Sequence, residues 1–327
     1  MLAVAQDARG VRYAGVNLAG AEFNSSKKPG TLFKDYTYPS ESDYTYFASK
    51  SMNIIRLPFL WERLQPQASG ELDATQLSLL RTAVERAKAK NMVVVLDVHN
   101  YAKYNGVRIG GSEVPVAVFV DLWRRLSNEF KNDDSVIFGL MNEPNGIGAT
   151  EWADAAQAAL NAIRAVGANN LVLVPGTAYS GAHSWTSTWY GGTSNADALL
   201  KITDPANRIA FEAHQYLDAD FSGTSGECVS EDIGVRKLNV FTTWLREHGK
   251  RGFLGEFGAS DNATCMAALK QMLEHMEAND DVWLAWTYWA AGAWWPTTYP
   301  FNVQPGKDGT EKPQMSVLTP MAKQFIE

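Results

Sequence analysis

Short apolar runs rich in β-branched residues alternate with amphipathic stretches along the chain. Continuous apolar runs are typical of strands that are buried on both faces, as in parallel sheets. Eight strand–helix alternations follow one another, without an internal repeat or a low-complexity tract. This order predicts an α/β fold built as a single (β/α)8 TIM barrel.

The predicted strands span residues 11–18, 53–59, 92–98, 136–144, 171–174, 208–216, 252–256 and 282–289. The predicted helices span residues 40–51, 73–91, 114–130, 150–166, 231–248, 262–277 and 316–326. Asp73 is expected to cap its helix in a capping box with Gln76, and Asn91 to end that helix. A doubly wound open sheet is the alternative fold, but no Gly-x-Gly-x-x-Gly turn follows the first strand.

Composition narrows the classes of partner. The 327 residues are 46% hydrophobic, carry a formal charge of −7 and show no basic cluster, so neither nucleic acid nor an anionic membrane surface is an expected partner. No apolar run is long enough to cross a bilayer. Residues 2–6 resemble the end of an export signal, which predicts a secreted or periplasmic protein, although a frayed terminus fits them nearly as well.

The two cysteines, Cys228 and Cys265, could form a disulfide or remain two separate buried thiols, and the residues alone leave both possibilities open. The five histidines show no tight pairing with one another or with the cysteines. The sequence therefore predicts no zinc site, no other metal and no cofactor.

Polar residues occupy the predicted carboxyl ends of the strands, which a barrel gathers at one mouth. Arg, His and Glu are costly inside apolar runs unless they are paired, so this set is difficult to interpret as solvated loops. The set consists of Asn17, Arg56, His99, Asn142, Glu143, His214, Tyr216, Glu256 and Trp289.

Arg56 fits either a structural ion pair or a guanidinium that keeps a catalytic carboxylate ionised, and both hold if its partner is Glu256. Glu212 lies deepest on its strand and is expected to be a satisfied carboxylate of the core. Asn142 and Glu143 are adjacent, so both can face the cleft only if the strand breaks near Pro144.

Two glutamates that end two apolar strands suggest glycoside hydrolysis, which uses one carboxylic acid and one carboxylate on either side of the scissile bond. The chain also contains 11 tryptophans, more than packing alone requires. Such rings can stack on the apolar faces of sugars.

Six blocks in order along the chain resemble glycoside hydrolase family 5, and above all its secreted endo-β-1,4-glucanases (cellulases). The blocks are Ile55-Arg56-Leu57-Pro58, Asp97-Val98-His99-Asn100-Tyr101, Asn142-Glu143-Pro144, His214-Gln215-Tyr216, Gly255-Glu256-Phe257 and Trp286-Thr287-Tyr288-Trp289-Ala290-Ala291-Gly292. The resemblance implies one catalytic barrel domain over residues 1–327, with no carbohydrate-binding module or linker.

The resemblance also implies a retaining double displacement. Glu143 matches the acid/base and Glu256 the nucleophile, and their carboxyl groups should lie about 5–5.5 Å apart. Arg56 and Tyr216 match residues that hold the nucleophile ionised and oriented. Cys228 and Cys265 match the spacing of a disulfide in related cellulases.

Further residues match the substrate-binding positions of the family. His99 and Asn142 match ligands of the sugar in the −1 subsite, His214 the histidine near the acid/base, and Trp289 the −1 platform. Two aromatics match more distal positions, and Asn17 joins the set as a polar strand end. The distal aromatics are Trp185 on the leaving-group side and Phe23 on the glycone side.

The expected partner is a β-glucan polysaccharide or oligosaccharide. A β-mannanase, a xyloglucanase or an exo-acting glucan hydrolase is the alternative within the family. A catalytically silent carbohydrate-binding barrel is a different class, which the presence of both glutamates disfavours. A metal-dependent barrel hydrolase that uses Asp97, His99 and His214 is a third class, which lacks a His-x-His strand signature.

Overall fold

A computed structural model describes residues 12–326. Eight parallel strands close into a barrel in which each strand pairs with its neighbour in sequence and β1 pairs with β8. The barrel strands are β1 Tyr13–Leu18, β2 Ile54–Phe59, β3 Val93–Val98, β4 Val136–Gly139, β5 Val172–Pro175, β6 Ile209–His214, β7 Gly252–Glu256 and β8 Trp283–Ala291. A short antiparallel hairpin, Lys103–Tyr104 with Val107–Arg108, lies outside the barrel. The closed parallel sheet confirms the predicted fold class. The predicted strand residue Val11 and the export-like segment 2–6 lie outside the described residues.

The helices lie between the strands and cover the outside of the barrel. They span Glu41–Ser49, Trp61–Leu64, Ala74–Lys88, Val116–Phe130, Ala149–Ala165, Asn195–Ala198, Ile233–Glu247, Ala263–Glu277 and Met315–Ile326. Most predicted bounds agree with these within a few residues. The exception is the fourth strand, which ends five residues earlier than predicted. The fifth alternation carries the predicted long loop, and the short helices Trp61–Leu64 and Asn195–Ala198 were not predicted.

The barrel interior is built in layers by the alternation of side chains along each strand. Ile54, Val95 and Ala210 belong to an apolar layer near the amino ends of the strands. Two residues further on, the same strands place Arg56, Asp97 and Glu212 in a buried polar layer. The charged side chains therefore lie directly above an apolar layer, which separates them from water at the amino end of the barrel.

The helix Ala74–Lys88 shows one correction to the predicted capping. Asp73 accepts a hydrogen bond from the backbone N–H of Gln76 at 2.8 Å, as expected of an N-cap. The Gln76 side chain does not return to Asp73; its Nε2 donates to the Tyr36 hydroxyl at 2.6 Å, and its Oε1 accepts from Tyr38 at 3.3 Å. The predicted capping box is therefore wrong in its second half, because the hydroxyls of Tyr36 and Tyr38 bind the amide instead.

Cys228 and Cys265 form a disulfide with a Cα–Cα distance of 5.3 Å. It joins the loop after β6 to the first turn of helix Ala263–Glu277. The bridge confirms the pairing implied by the family resemblance. Within residues 12–326, no helix combines the length and the apolar character that a membrane span requires.

Candidate active site

Arg56 lies at the centre of the barrel mouth with no surface exposed to solvent. Its Nη1 contacts Glu256 Oε1 at 3.0 Å, its Nη2 contacts Asp97 Oδ1 at 3.2 Å, and its Nε contacts Glu212 Oε1 at 3.0 Å. Burial alone would lower the pKa of Arg56, but these carboxylates raise it above its ordinary value. Arg56 thus pairs with Glu256, the residue through which its two predicted roles would overlap.

Two asparagines complete the surroundings of the guanidinium. Asn17 Oδ1 accepts from Nη1 of Arg56 at 2.9 Å, and Asn142 Oδ1 accepts from Nη2 at 2.9 Å. The Nδ2 of Asn17 donates to the carbonyls of Gly255 and Thr287 at 2.9 and 3.1 Å. Asn17 is fully buried, and its polar atoms all bond to Arg56 or to backbone carbonyls. It therefore supports Arg56 and has no polar atom left for the predicted contact with substrate.

Glu256 is the last residue of β7, and both of its carboxylate oxygens have donors. Arg56 holds Oε1, and the Tyr216 hydroxyl donates to Oε2 at 2.8 Å. Burial and the charge of Glu256 raise the pKa of Tyr216 well above its ordinary value, so the phenol keeps its proton and remains a donor.

Glu143 reaches the cleft because the chain leaves the ladder before it. Strand β4 ends at Gly139, and Glu143 has a left-handed backbone with φ of 41°. This break allows the Asn142 side chain to face Arg56 while Glu143 faces His214, whose Nδ1 lies 2.8 Å from Oε1. The predicted interruption of the strand is therefore present, although the ladder stops five residues before the proline.

His214 lies between three carboxylates. Its Nδ1 is 2.8 Å from Glu143 and 3.7 Å from Glu256, and its Nε2 is 3.1 Å from Glu212 Oε1. Burial would lower the pKa of His214, but the charge of Glu256 and the hydrogen bonds to Glu143 and Glu212 raise it to about 10. The imidazole is therefore a cation at neutral pH that donates from both ring nitrogens.

One carboxylate oxygen of Glu143, one of Glu256 and a ring nitrogen of His214 all lie within 4.8 Å of one another. Such a group has the size of a cation site, but Nδ1 of His214 already lies at the hydrogen-bond distance of 2.8 Å from Glu143 Oε1. Arg56 already supplies the positive charge that a metal would bring. The donor set therefore fits paired carboxylate chemistry better than the metal-dependent hydrolase considered from the sequence.

Burial raises the pKa of Glu143, and the nearby charge of Glu256 raises it further, while the His214 hydrogen bond works in the opposite direction. Glu143 keeps 16% of its side chain exposed to the cleft, against 6% for Glu256. The Glu143 side chain, which is open to the cleft, therefore faces the more buried Glu256 side chain, which Arg56 and Tyr216 hold.

Glu212 lies in the core with 1% of its surface exposed, as predicted. It is only half satisfied, because Oε1 contacts Arg56 and His214 while Oε2 has no hydrogen-bond partner among residues 12–326. Gly255 is required beside it, since a Cβ there would overlap the Glu212 carboxylate and approach His214.

His99 forms the other wall of the cleft. Its Nδ1 lies 2.7 Å from Asp97 Oδ2, and its Nε2 lies 3.3 Å from Asn142 Nδ2. The imidazole stacks on Trp289 with a centroid distance of 5.5 Å and an angle of 12°. Burial disfavours the ionised form of Asp97, yet Arg56 and His99 hold the pKa of Asp97 below its ordinary value.

An aromatic rim continues from Trp289. Trp295 meets Trp289 edge-on at 6.0 Å and Phe23 edge-on at 5.0 Å, and it stacks on Tyr299 at 4.3 Å. Phe23 and Trp289 are both partly exposed. Phe23 thus belongs to the same aromatic wall as Trp289, on the side of His99.

Trp185 does not line the cleft, which corrects the prediction for the leaving-group side. Its indole is fully buried and packs edge-on against Phe241 at 4.5 Å and Trp244 at 5.3 Å. Loops have no periodic pattern of apolar residues that indicates the direction of a side chain. The burial of Trp185 could therefore not be predicted from the sequence.

The same loop presents a different aromatic near Glu143. Tyr179 is 54% exposed, and its backbone N–H donates to the Pro144 carbonyl at 3.1 Å. It lies in a left-handed turn formed by Ala178, Tyr179 and Ser180, with φ of 53°, 59° and 55°. Three consecutive residues in the left-handed region of φ and ψ are strained. The sequence did not predict this turn, because none of the three is a glycine or an asparagine.

Residues 14–292 match the profile of the family described as Cellulase (glycosyl hydrolase family 5). The chain belongs to glycoside hydrolase family 5. The resemblance predicted from the six sequence blocks is thereby confirmed, and the protein is a glycoside hydrolase.

Relatives within family 5 agree with this assignment. Endo-beta-1,4-glucanase B of Emericella nidulans is 39% identical over 297 residues, which cover 90% of this chain and 87% of that protein. The structure of the endo-beta-1,4-glucanase Xac0029 from Xanthomonas axonopodis pv. citri is 59% identical, with a TM-score of 0.95, and the match covers 97% of this chain and 100% of that chain. A structure of XacCel5A in complex with cellopentaose is 62% identical, with a TM-score of 0.94 and coverage of 95% and 99%.

Replacing Arg56 by methionine leaves three buried carboxylates without their cation. We expect Arg56→Met to lower the free energy of unfolding by about 3–5 kcal/mol at neutral pH. Because Arg56 holds the pKa of Asp97 low, its stabilising effect is present above the pKa of an unfolded Asp and is lost as the pH falls. Urea unfolding should therefore show a smaller difference from the wild type at about pH 3.5 than at about pH 7.

The matched control is Arg236→Met, which removes an exposed arginine paired with Asp232 at 2.9 Å. It should change the free energy of unfolding by no more than about 1 kcal/mol. Equal losses for the two variants would contradict the account of the buried network.

Removing the charge of Glu256 should lower the pKa of Glu143, because that charge helps to keep the proton on Glu143. The pKa of His214 should fall in the same variant, since Glu256 raises it as well. Glu256→Gln is compared with the wild type by NMR titration of ¹³C-labelled glutamate carboxyls and of the histidine ring. In the control Glu274→Gln, which alters an exposed carboxylate paired with Lys270, neither pKa should move.

Proposed function

We propose that this family 5 glycoside hydrolase is a retaining endo-β-1,4-glucanase that cleaves internal β-1,4-glucosidic bonds of cellulose and related β-glucans. The observation that carries the mechanism is the approach of Glu143 and Glu256, whose nearest oxygens lie within 4.8 Å of each other. Inverting enzymes need about 6.5 Å or more between the two carboxyl groups, to leave room for a water.

In the first step, Glu256 attacks the anomeric carbon and the glycosidic C–O bond breaks. Glu143 gives its proton to the leaving oxygen, which the raised pKa of Glu143 favours. Arg56 and the Tyr216 hydroxyl hold the two oxygens of Glu256, so the attacking carboxylate is oriented before substrate arrives. The product of this step is a glycosyl ester on Glu256.

In the second step, a water molecule opens that ester. Glu256 is now neutral, so the repulsion that kept Glu143 protonated is gone, and Glu143 can take a proton from the water. The water oxygen bonds to the anomeric carbon as Glu256 leaves. Two displacements at this carbon restore the β configuration.

The residues around the two carboxyls suit a neutral sugar chain. His99 and Asn142 are placed to bind hydroxyls of the −1 sugar, and Trp289 offers the flat surface beneath it. Phe23 and Trp295 would continue this surface on the glycone side. Tyr179, next to the Glu143 segment, is the exposed aromatic available to the leaving-group side in place of Trp185.

The substrate class is supported by the relatives, which are endo-β-1,4-glucanases, and by the cellopentaose complex of XacCel5A. A secreted or periplasmic location is part of this proposal, because a disulfide persists in oxidising compartments. We further propose that residues 1–327 act as a single catalytic domain.

Azide rescue distinguishes the two glutamates. Glu143→Gly should lose about 10³-fold in activity on glucan but still react with an aryl β-cellobioside, whose good leaving group needs no acid. Azide should then release a β-glycosyl azide. Glu256→Gly with azide should give the α-glycosyl azide, because a single displacement inverts the anomeric carbon.

The control Glu274→Gln should keep wild-type turnover and give no azide product. For the wild type, NMR should show the β anomer as the first product. An α first product, or unchanged turnover in either glycine variant, would overturn the assignment and revive the inverting or the non-catalytic interpretation.

A substrate panel tests specificity. Reducing-sugar release should be highest on carboxymethylcellulose and mixed-linkage β-glucan and low on mannan, with a rapid fall in viscosity that marks internal cleavage. Preference for mannan or xyloglucan, or release of only cellobiose or glucose from chain ends, would instead identify one of the alternative activities of the family.

A further inference from the structure

Tyr216, the residue that donates to Glu256, is followed directly by a loop that folds back onto its ring. Gly223, with φ of 72°, approaches so closely that a Cβ there would lie 2.6 Å from Cδ1 of Tyr216. The ring of Phe301 also stacks on Tyr216, at 6.0 Å and 15°. The phenol is thus held by one backbone segment and one aromatic ring.

The carboxylate of Asp218 folds the segment that contains Gly223. Its Oδ1 accepts from the N–H of Gly223 at 3.0 Å, and its Oδ2 accepts from the N–H groups of Thr224 and Ser225 at 3.1 and 3.2 Å. The Ser222 hydroxyl donates to Oδ2 at 3.2 Å. Asp218 is only 3% exposed, so little water competes for these bonds.

The ends of the loop are fixed separately. The N–H of Val229 donates to the Leu217 carbonyl at 3.0 Å, and the Cys228–Cys265 disulfide links the end of the loop to helix Ala263–Glu277. These ties set where the loop begins and ends. Between them, Phe221 packs against His183 at a centroid distance of 4.4 Å, and Asp218 is the side chain that binds the N–H of Gly223.

Glu256 makes the position of Tyr216 chemically important. Its Oε1 is held by Arg56 and its Oε2 by the Tyr216 hydroxyl, so a shift of the phenol frees one oxygen of the attacking carboxylate. A misplacement of about 1 Å at a reacting group can cost up to about 10²-fold in rate.

We propose that Asp218 is a positioning residue for the hydrolysis: it folds residues 222–225 so that Gly223 holds Tyr216 in place, and Tyr216 in turn orients Glu256. This inference rests on the proposed role of Glu256 as nucleophile. Asp218 touches neither substrate nor Glu256 and acts only through the loop and the phenol.

The test is Asp218→Asn, in which an amide NH2 replaces one of the two acceptor oxygens and faces N–H donors. On cellopentaose we expect kcat to fall about tenfold and KM to change by less than about twofold, because the substrate itself has lost no contact. The control Asp220→Asn alters a fully exposed carboxylate of the same loop, which bonds Ser222 but not Gly223, and should leave kcat within about twofold.

The decisive comparison is made in the Tyr216→Phe background, where the hydroxyl is already absent. If Asp218 acts through Tyr216, adding Asp218→Asn in this background should lower kcat by less than about twofold. The hydrogen bond from Tyr216 to Glu256, which Asp218→Asn would disturb, is already absent there. A second tenfold loss in this background would overturn the proposal, because Asp218 would then act by a general structural route.

Gly223→Ala provides an independent variant if Asp218→Asn does not fold. Its added methyl presses on Tyr216 while Asp218 stays intact, and it should reproduce the kcat loss with KM preserved; wild-type kcat in this variant would also overturn the proposal. Failure of the proposed function would give a different result, because Tyr216→Phe and Glu256→Gly would then both keep the wild-type kcat. If only the positioning inference fails, those two variants remain impaired while Asp218→Asn is not.

Discussion

One buried arginine, Arg56, organises the mouth of this barrel. Arg56 sits above an apolar layer with no access to water, and a charge in such a place must be matched by opposite charge and hydrogen bonds. Asp97, Glu212 and Glu256 supply the charge. Glu256, Asn17 and Asn142 accept hydrogen bonds from Nη1 and Nη2 of Arg56, whereas its Nε meets Glu212 as an ion pair without a hydrogen bond. The candidate nucleophile is therefore one member of a charge-neutralising set that the barrel needs in order to be stable.

His214 connects this set to the acid/base. It contacts Glu212 in the core and Glu143 at the cleft, with Glu256 nearby, so the three carboxylates share one imidazolium. Glu143 and Glu256 have the same side chain but different surroundings. Glu256 has two strong donors, whereas Glu143 has one donor, a neighbouring negative charge and an opening to solvent. Environment alone separates their proposed roles.

Strand periodicity made most of the fold and the centre of the site predictable. Counting two residues on from Ile54, Val95 and Ala210 reaches the buried polar layer, because alternate side chains of a strand face one side. Loops have no such period. Trp185 and Tyr179 lie six residues apart in one loop, and only three-dimensional packing decides that the first is buried and the second exposed. The half-satisfied state of Glu212 likewise depends on distances that no local pattern encodes.

The left-handed turn at Ala178, Tyr179 and Ser180 has a thermodynamic consequence. Each non-glycine residue held there costs on the order of 1 kcal/mol or more, so the turn draws on the stability of the surrounding barrel. The Ser180 hydroxyl offsets part of this cost by donating a hydrogen bond to the backbone carbonyl of Glu212 at 2.6 Å. A chain selected only for thermal robustness would relax this turn, and in doing so would lose the projection of Tyr179 beside Glu143. Heat resistance and the shape of the proposed leaving-group side are therefore competing demands on the same three residues.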